Sequence, residues 1–161
     1  MSEVLKMDDI DRSILQLVQE DPNVTHTQIA RKINRSQPTV GMRIKRLEKA
    51  GVLQFQAGLN MKSLDLYFAK VELQSNNPKE ILDLVKKCPF IFNAFRLSGT
   101  SNISVLITNS KLQNLDNIVN IHFRNNPNIL NVSMELITEV VNDFILPIDF
   151  NFKSCTCILE D

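Results

Sequence analysis

The apolar residues of this chain change their spacing between positions 53 and 66, and that change limits the possible fold more than any other feature. Before it they recur every three or four residues, the period of a helix with one buried stripe. After it, runs of period two alternate with runs of the helical period. A chain written this way is expected to be α+β, with a helical unit first and a mixed helix and sheet unit second. With 161 residues it has room for two small cores.

Residues 1–53 read as three short helices. Asp8 can cap the first, with Asp11 near the positive end of its dipole; Ile10, Ile14, Leu17 and Val18 follow until Asp21-Pro22 stops it. The second opens with a Thr25-x-x-Gln28 capping pattern and buries Ile29, Ala30 and Ile33; Asn34 then tolerates a left-handed turn. The third has Ser36 as N-cap, Pro38 in its first turn, Val40, Ile44 and Leu47 facing inward, and Ala50-Gly51 as its stop. Two capped helices joined by a tight turn and braced by a third make a helix-turn-helix.

The chain carries no net charge, which by itself argues against a nucleic-acid partner. The distribution argues for one. Between Arg31 and Lys49 seven basic residues stand against one acid, whereas from Met61 onward nine stand against eleven. On the third helix, Thr39, Met42, Arg43 and Arg46 follow i, i+3, i+4, i+7 spacing, flanked by Lys45 and Lys49. Small polar residues near the start of such a helix reach base edges, and long cations further along reach phosphates or guanine. The expected contacts to double-stranded DNA are Arg35, Ser36, Gln37, Thr39, Met42, Arg43, Lys45, Arg46 and Lys49. The expectation requires this ridge to point outward, and internal pairing of its arginines would count against it. Gly41 adds no bulk at a flank close to DNA or to the preceding helix.

Val52 to Gln56 looks like a short strand, a wing or an arm, and residues 54–65 are read as an extended linker with its hinge from Asn60 to Asp65. Residues 66–141 then alternate by type. Strands are expected at Tyr67–Leu73, Ile91–Leu97, Ile103–Ile107 and Leu130–Thr138. One helix starts at Asn77-Pro78 and closes at Cys88-Pro89; another runs from Leu112 to His122 and ends at Asn125-Asn126-Pro127. The order βαββαβ is ferredoxin-like, with both helices on one sheet face and a second subunit the simplest cover for the other. Residues 142–161 form a tail, in which Phe144 to Phe152 is too apolar to be free in solvent.

Other classes find little support. No apolar run approaches the ~18 residues of a membrane span, and the acidic N-terminus does not resemble a signal peptide, so a cytoplasmic protein is expected. Cys88, Cys155 and Cys157 make no disulfide framework, and Cys-x-Cys has the wrong spacing for a redox or zinc pair. His26 and His122, the two histidines, have no catalytic neighbours in sequence; both read as structural, with His122 on a core-facing stripe. No enzyme, metal or cofactor is expected.

Met7-Asp8-Asp9-Ile10-Asp11-Arg12-Ser13-Ile14-Leu15, the run from Ser36 to Leu53, Asn60 at the linker's end and Ser98-Gly99 at a turn together resemble the Lrp/AsnC family of regulators. The resemblance spans nearly the whole chain to about Val141. It implies a homodimer formed through the second domains, assembly into tetramers or octamers, and binding to A·T-rich imperfect palindromes. It also implies an effector pocket at Gly99, Thr100, Ser101 and Asn102 with Val132 and Met134 on the last strand. The family's loop there is usually acidic, and this one has no carboxylate for an amino acid's ammonium, so either no ordinary amino acid or a different ligand is expected. Arg35 stands where the family usually has an aliphatic residue. Siroheme decarboxylases share the two-domain architecture and remain the enzymatic alternative, although their histidine and aromatic motifs have no counterpart here.

Overall fold

Each helix of the first unit begins where a side chain takes over an unpaired amide. In the computed structural model, which describes residues 5–147, helix α1 spans Asp9–Glu20, α2 His26–Lys32 and α3 Gln37–Lys49. Asp8 Oδ1 accepts from the Asp11 amide at 2.9 Å and Asp11 Oδ2 from the Asp8 amide at 3.1 Å. Thr25 and Gln28 repeat this reciprocal capping on α2, and Ser36 accepts from the Thr39 amide on α3. Ile14, Ile29, Val40 and Leu47 are fully buried at the centre of the three-helix core. Asn34 takes the left-handed turn between α2 and α3, at φ 52°.

The strand expected at Val52–Gln56 does not form. Gly51, at φ 70°, turns the chain back on the end of α3. Its amide then donates to Glu48 and the Val52 amide to Leu47, the paired bonds of a Schellman stop. Leu53 is thereby carried into the helical core, and its amide also donates to Leu47.

The chain divides into two compact units after Gln56. All of the expected linker from Ala57 onward therefore belongs to the second unit. Strand β1 (Leu59–Asn60) pairs antiparallel with β6 (Ile145–Leu146), which places the beginning of the tail. A Cβ on Gly58 would lie 2.9 Å from the Leu146 backbone, so the close approach requires glycine. The Met61 amide donates to Phe144 at 2.8 Å and Lys62 Nζ to the Val141 carbonyl at 2.9 Å, so the expected hinge is tied down. Phe152, Cys155 and Cys157 lie outside the described residues.

The main sheet contains β2 (Tyr67–Ser75), β3 (Ile91–Arg96), β4 (Ile103–Asn109) and β5 (Ile129–Ile137), in the order β3-β4-β2-β5 with every neighbouring pair antiparallel. This is the expected βαββαβ arrangement. Helices α4 (Pro78–Val85) and α5 (Leu112–Val119) cover one face, where Val71, Leu73, Val105 and Ile107 meet Ile81, Leu115, Ile118 and Phe123. A π-turn over Asn120–Arg124 extends α5. Asn77 stands at the start of α4 but does not cap it; its amide side chain donates to Glu80 instead, at 3.3 Å.

Alternation sends Phe68, Lys70, Leu106, Glu135 and Ile137 to the opposite face, which no helix among the described residues covers; Phe68 is buried there, edge-on to Phe92. Lys70 Nζ there lies 2.8 Å from Glu135 and 3.3 Å from Glu72; these two bonds, Glu135 first, raise its pKa. No helix among the described residues is long and apolar enough to cross a membrane.

Candidate nucleic-acid interface

Helix α3 has a buried stripe of Val40, Ile44 and Leu47, and the positions around it fall into three groups. Met42, Lys45 and Lys49 lie opposite the stripe, and all three are exposed. Met42 is 67% exposed, a large apolar side chain held in water at the middle of the outer face. Lys45 and Lys49 have no hydrogen-bond or ion-pair partner among the described residues. At the start of the helix, Ser36 and Gln37 are exposed and Thr39 half-buried, with its hydroxyl 2.8 Å from that of Ser36. Arg35 is exposed but folds back, donating to the Asn34 carbonyl at 2.9 Å.

Arg43 and Arg46 do not belong to that outward face, contrary to expectation. At 3.6 residues per turn, Arg43 sits only roughly 70° from the middle of the buried stripe. Its Nη1 lies 2.8 Å from both oxygens of Asp8 and 2.9 Å from Asp11 Oδ1. Arg46 Nη2 donates to Asp11 Oδ2. The Arg43 side chain is 24% exposed and that of Arg46 47%, whereas Asp11 is wholly buried. A buried carboxylate is costly unless paired and hydrogen-bonded, and here two guanidiniums and the Asp8 amide do both. Hydrogen bonding from Arg43, helped by the Asp11 amide, holds the Asp8 carboxyl at about 2. The bonds to Asp8 and Asp11 raise the Arg43 pKa in turn.

These arginines therefore brace α3 against the start of α1. Asp8, expected only as the cap of α1, and Asp11, expected only near the positive end of its dipole, are the residues that sequence reasoning missed. The available signal was matched spacing: an Asp-x-x-Asp at the start of α1, from its N-cap, faces an Arg-x-x-Arg in α3. Gly41 serves the preceding helix, since its Cβ would lie 3.4 Å from the His26 ring.

The second candidate site is divided differently. Gly99 and Thr100 are exposed, and Ser101 is half-buried. Asn102 spends its side chain on the end of β2, accepting from the Ser75 amide at 2.9 Å and donating to the Ser75 carbonyl at 2.7 Å. Val132 and Met134 pair with Leu73 and Val71 and turn toward the helices, where both pack on the core. His26 lies in the first unit and His122 in the second, and no group of acidic, histidine or cysteine side chains among the described residues could hold a metal.

A family model for winged helix-turn-helix DNA-binding domains matches residues 7–54, which takes in all three helices. The chain is 31% identical over 105 residues to the leucine-responsive regulatory protein of Rhizobium meliloti, covering 61% of this chain and 67% of that one. It is 30% identical over 106 residues to an uncharacterized HTH-type transcriptional regulator of Pyrococcus furiosus, covering 63% and 72%. The solved structure of Escherichia coli AsnC superposes with a TM-score of 0.74 at 14% identity, over 87% of this chain and 99% of that chain. Fold, helix-turn-helix and relatives agree: this is a DNA-binding transcription regulator, and the chain belongs to the Lrp/AsnC family.

Proposed function

We propose that two copies pair through the uncovered sheet face and present their α3 helices to the two halves of an A·T-rich palindrome. One observation carries the choice of contacts. In a domain whose arginines on α3 are paired internally, Met42, Lys45 and Lys49 on the outer face remain uncommitted. Ser36, Gln37 and Thr39, at the helix start, are the candidates for base edges, and Arg35 for a neighbouring phosphate. Arg46, half-exposed, can add a phosphate contact with the part of its guanidinium that Asp11 leaves free; Arg43 acts by holding the helix.

The pairing surface is supported by the chemistry of the open face. Leu106 and Ile137 supply apolar area, and the lysine between them is already neutralised by Glu135 and Glu72. Dimers assemble further into tetramers or octamers and act in the cytoplasm. The Gly99–Asn102 loop takes no ordinary amino acid, because it offers no carboxylate to an ammonium. Replacing Thr100 or Ser101 with alanine should therefore leave any amino-acid titration unchanged; loss in either variant contradicts this.

Selection of binding sites from random duplexes, followed by mobility shift, tests the proposal. Symmetric half-sites separated by about 10 base pairs or a multiple are expected. Lys45→Ala and Lys49→Ala should each weaken binding and lower the slope of log affinity against log salt by about one. A single asymmetric half-site, or affinity unchanged in both variants, overturns it.

A further inference from the structure

Of the methionines among the described residues, Met42 alone is exposed, at 67%. Met61 is buried, and Met7 and Met134 are half-buried where they pack on the two cores. A thioether inside a core is shielded from oxidants by its neighbours, whereas one held in water is open to them. Cys88, the cysteine among the described residues, is buried, and burial raises its pKa. It is thereby kept from the thiolate form that oxidants attack.

The neighbours of Met42 give its sulfur a consequence. Lys45 follows it by one turn and Lys49 by two, so all three stand on one face of α3. Helical side chains lean toward the N-terminus, which directs the Lys45 stem toward Met42. Neither lysine has a hydrogen-bond or ion-pair partner among the described residues. Thr39, a turn earlier, has its hydroxyl engaged with that of Ser36. The sulfur therefore stands in water beside cations that the fold has not committed.

We propose that Met42 is a modification site oxidised by peroxide, and that its sulfoxide releases the regulator from DNA. The thioether sulfur attacks one oxygen of hydrogen peroxide, and the S–O bond forms as the O–O bond breaks. The other oxygen leaves as hydroxide and takes the proton of the first, giving water; sulfur is oxidised and peroxide reduced. The face loses two things at once. An apolar surface suited to a thymine methyl becomes polar. The new sulfoxide oxygen accepts from the Lys45 ammonium and draws it away from phosphate. The seating of α3 is untouched, because the Val40, Ile44 and Leu47 stripe and the arginine brace lie on other sides of the helix. Reduction by a thiol-dependent methionine sulfoxide reductase returns the thioether. The inference rests on the proposed role of the outer face of α3 and adds a means of controlling it.

The test treats the full chain with hydrogen peroxide and then dithiothreitol, which returns oxidised cysteines to thiols but leaves sulfoxides. Peptide mass mapping and mobility shift on the duplex recovered by site selection follow. Met42 should gain one oxygen before Met7, Met61 or Met134. Affinity should fall at least about fivefold, with a salt slope smaller by about one, and sulfoxide reductase should restore both. Met42→Leu should bind equally before and after treatment, whatever its starting affinity. The proposal is overturned if Met42 is fully oxidised without loss of affinity, or is oxidised no sooner than Met7 or Met134. It is equally overturned if Met42→Leu stays as sensitive to peroxide as the parent. Lys45→Ala and Lys49→Ala, measured without peroxide, distinguish the face from its modification. Weakened binding in those variants, with oxidised parent bound as before, overturns the modification alone. Unchanged binding in both removes the face and the modification with it.

Discussion

Removing the Arg43 side chain tests whether α3 is held or is merely decorated with charge. Asp11 is wholly buried and accepts from Arg43, Arg46 and the Asp8 amide. Stripping one partner from a buried ion pair costs ~3–5 kcal/mol when the remaining charge is left uncompensated. Here Arg46 and the Asp8 amide stay behind, so Arg43→Ala should cost about 2–3 kcal/mol. Against a total of about 5–15 kcal/mol for an ordinary domain, that is a large fraction. Urea unfolding of the full chain, followed by far-ultraviolet circular dichroism, should show the helical transition moving to lower urea with the slope preserved. Lys45→Ala and Lys49→Ala should stay within about 0.5 kcal/mol of the parent. Combining Arg43→Met with Asp11→Leu removes the buried charge together with its partner and should recover most of the loss. An Arg43→Ala protein of unchanged stability whose DNA affinity falls with a salt slope smaller by about one would refute the brace and make Arg43 a phosphate contact.

Acid should loosen the same contact in a defined window. The Asp8 carboxyl is held at about 2 against an ordinary 3.8, so its stabilisation is complete above 3.8 and disappears as pH falls through about 2. The difference in urea midpoint between the parent and Arg43→Ala should shrink over that interval, and a constant difference would contradict the assignment. Leu106→Lys places a second ammonium directly across from Lys70 on the open sheet face and should shift sedimentation toward monomer with helix content unchanged; a persistent dimer would move the pairing surface elsewhere. Gly58→Ala should cost about 1–3 kcal/mol at the β1–β6 ribbon, through overlap with the Leu146 backbone. Hydrogen exchange at Met61, whose amide is bonded to Phe144, reports it; unchanged protection would mean that the approach relaxes freely.

Much of this architecture was legible because its signals are local. Asp8, Thr25 and Ser36 each announce a helix start within three residues of the amide they satisfy. The strands of the main sheet show as period-two runs because one face of each is packed on helices. What escaped is tertiary. The stripe Thr39, Met42, Arg43, Arg46 is wide enough that one edge leans toward α1, and nothing within the helix tells which edge. The carboxylates that settle it lie 32 and 35 residues earlier. Strands β1 and β6 are two residues each, too short to display a period, and they meet across most of the second unit. Val132 and Met134 pack against the helix-covered core, a placement that their alternation allows but does not single out.

The division of α3 into a gripping flank and a free outer face has an evolutionary corollary. Met42, Lys45 and Lys49 are exposed and pair with nothing among the described residues, so under the proposed contacts substitutions there would retarget the regulator toward new operators while the scaffold keeps its melting behaviour. Changes at Arg43 or Asp11 have no such freedom, because each disturbs the seating of the whole helix and with it every contact at once. Paralogues that diverge in their target promoters should accordingly vary along one edge of this helix and hold the other fixed.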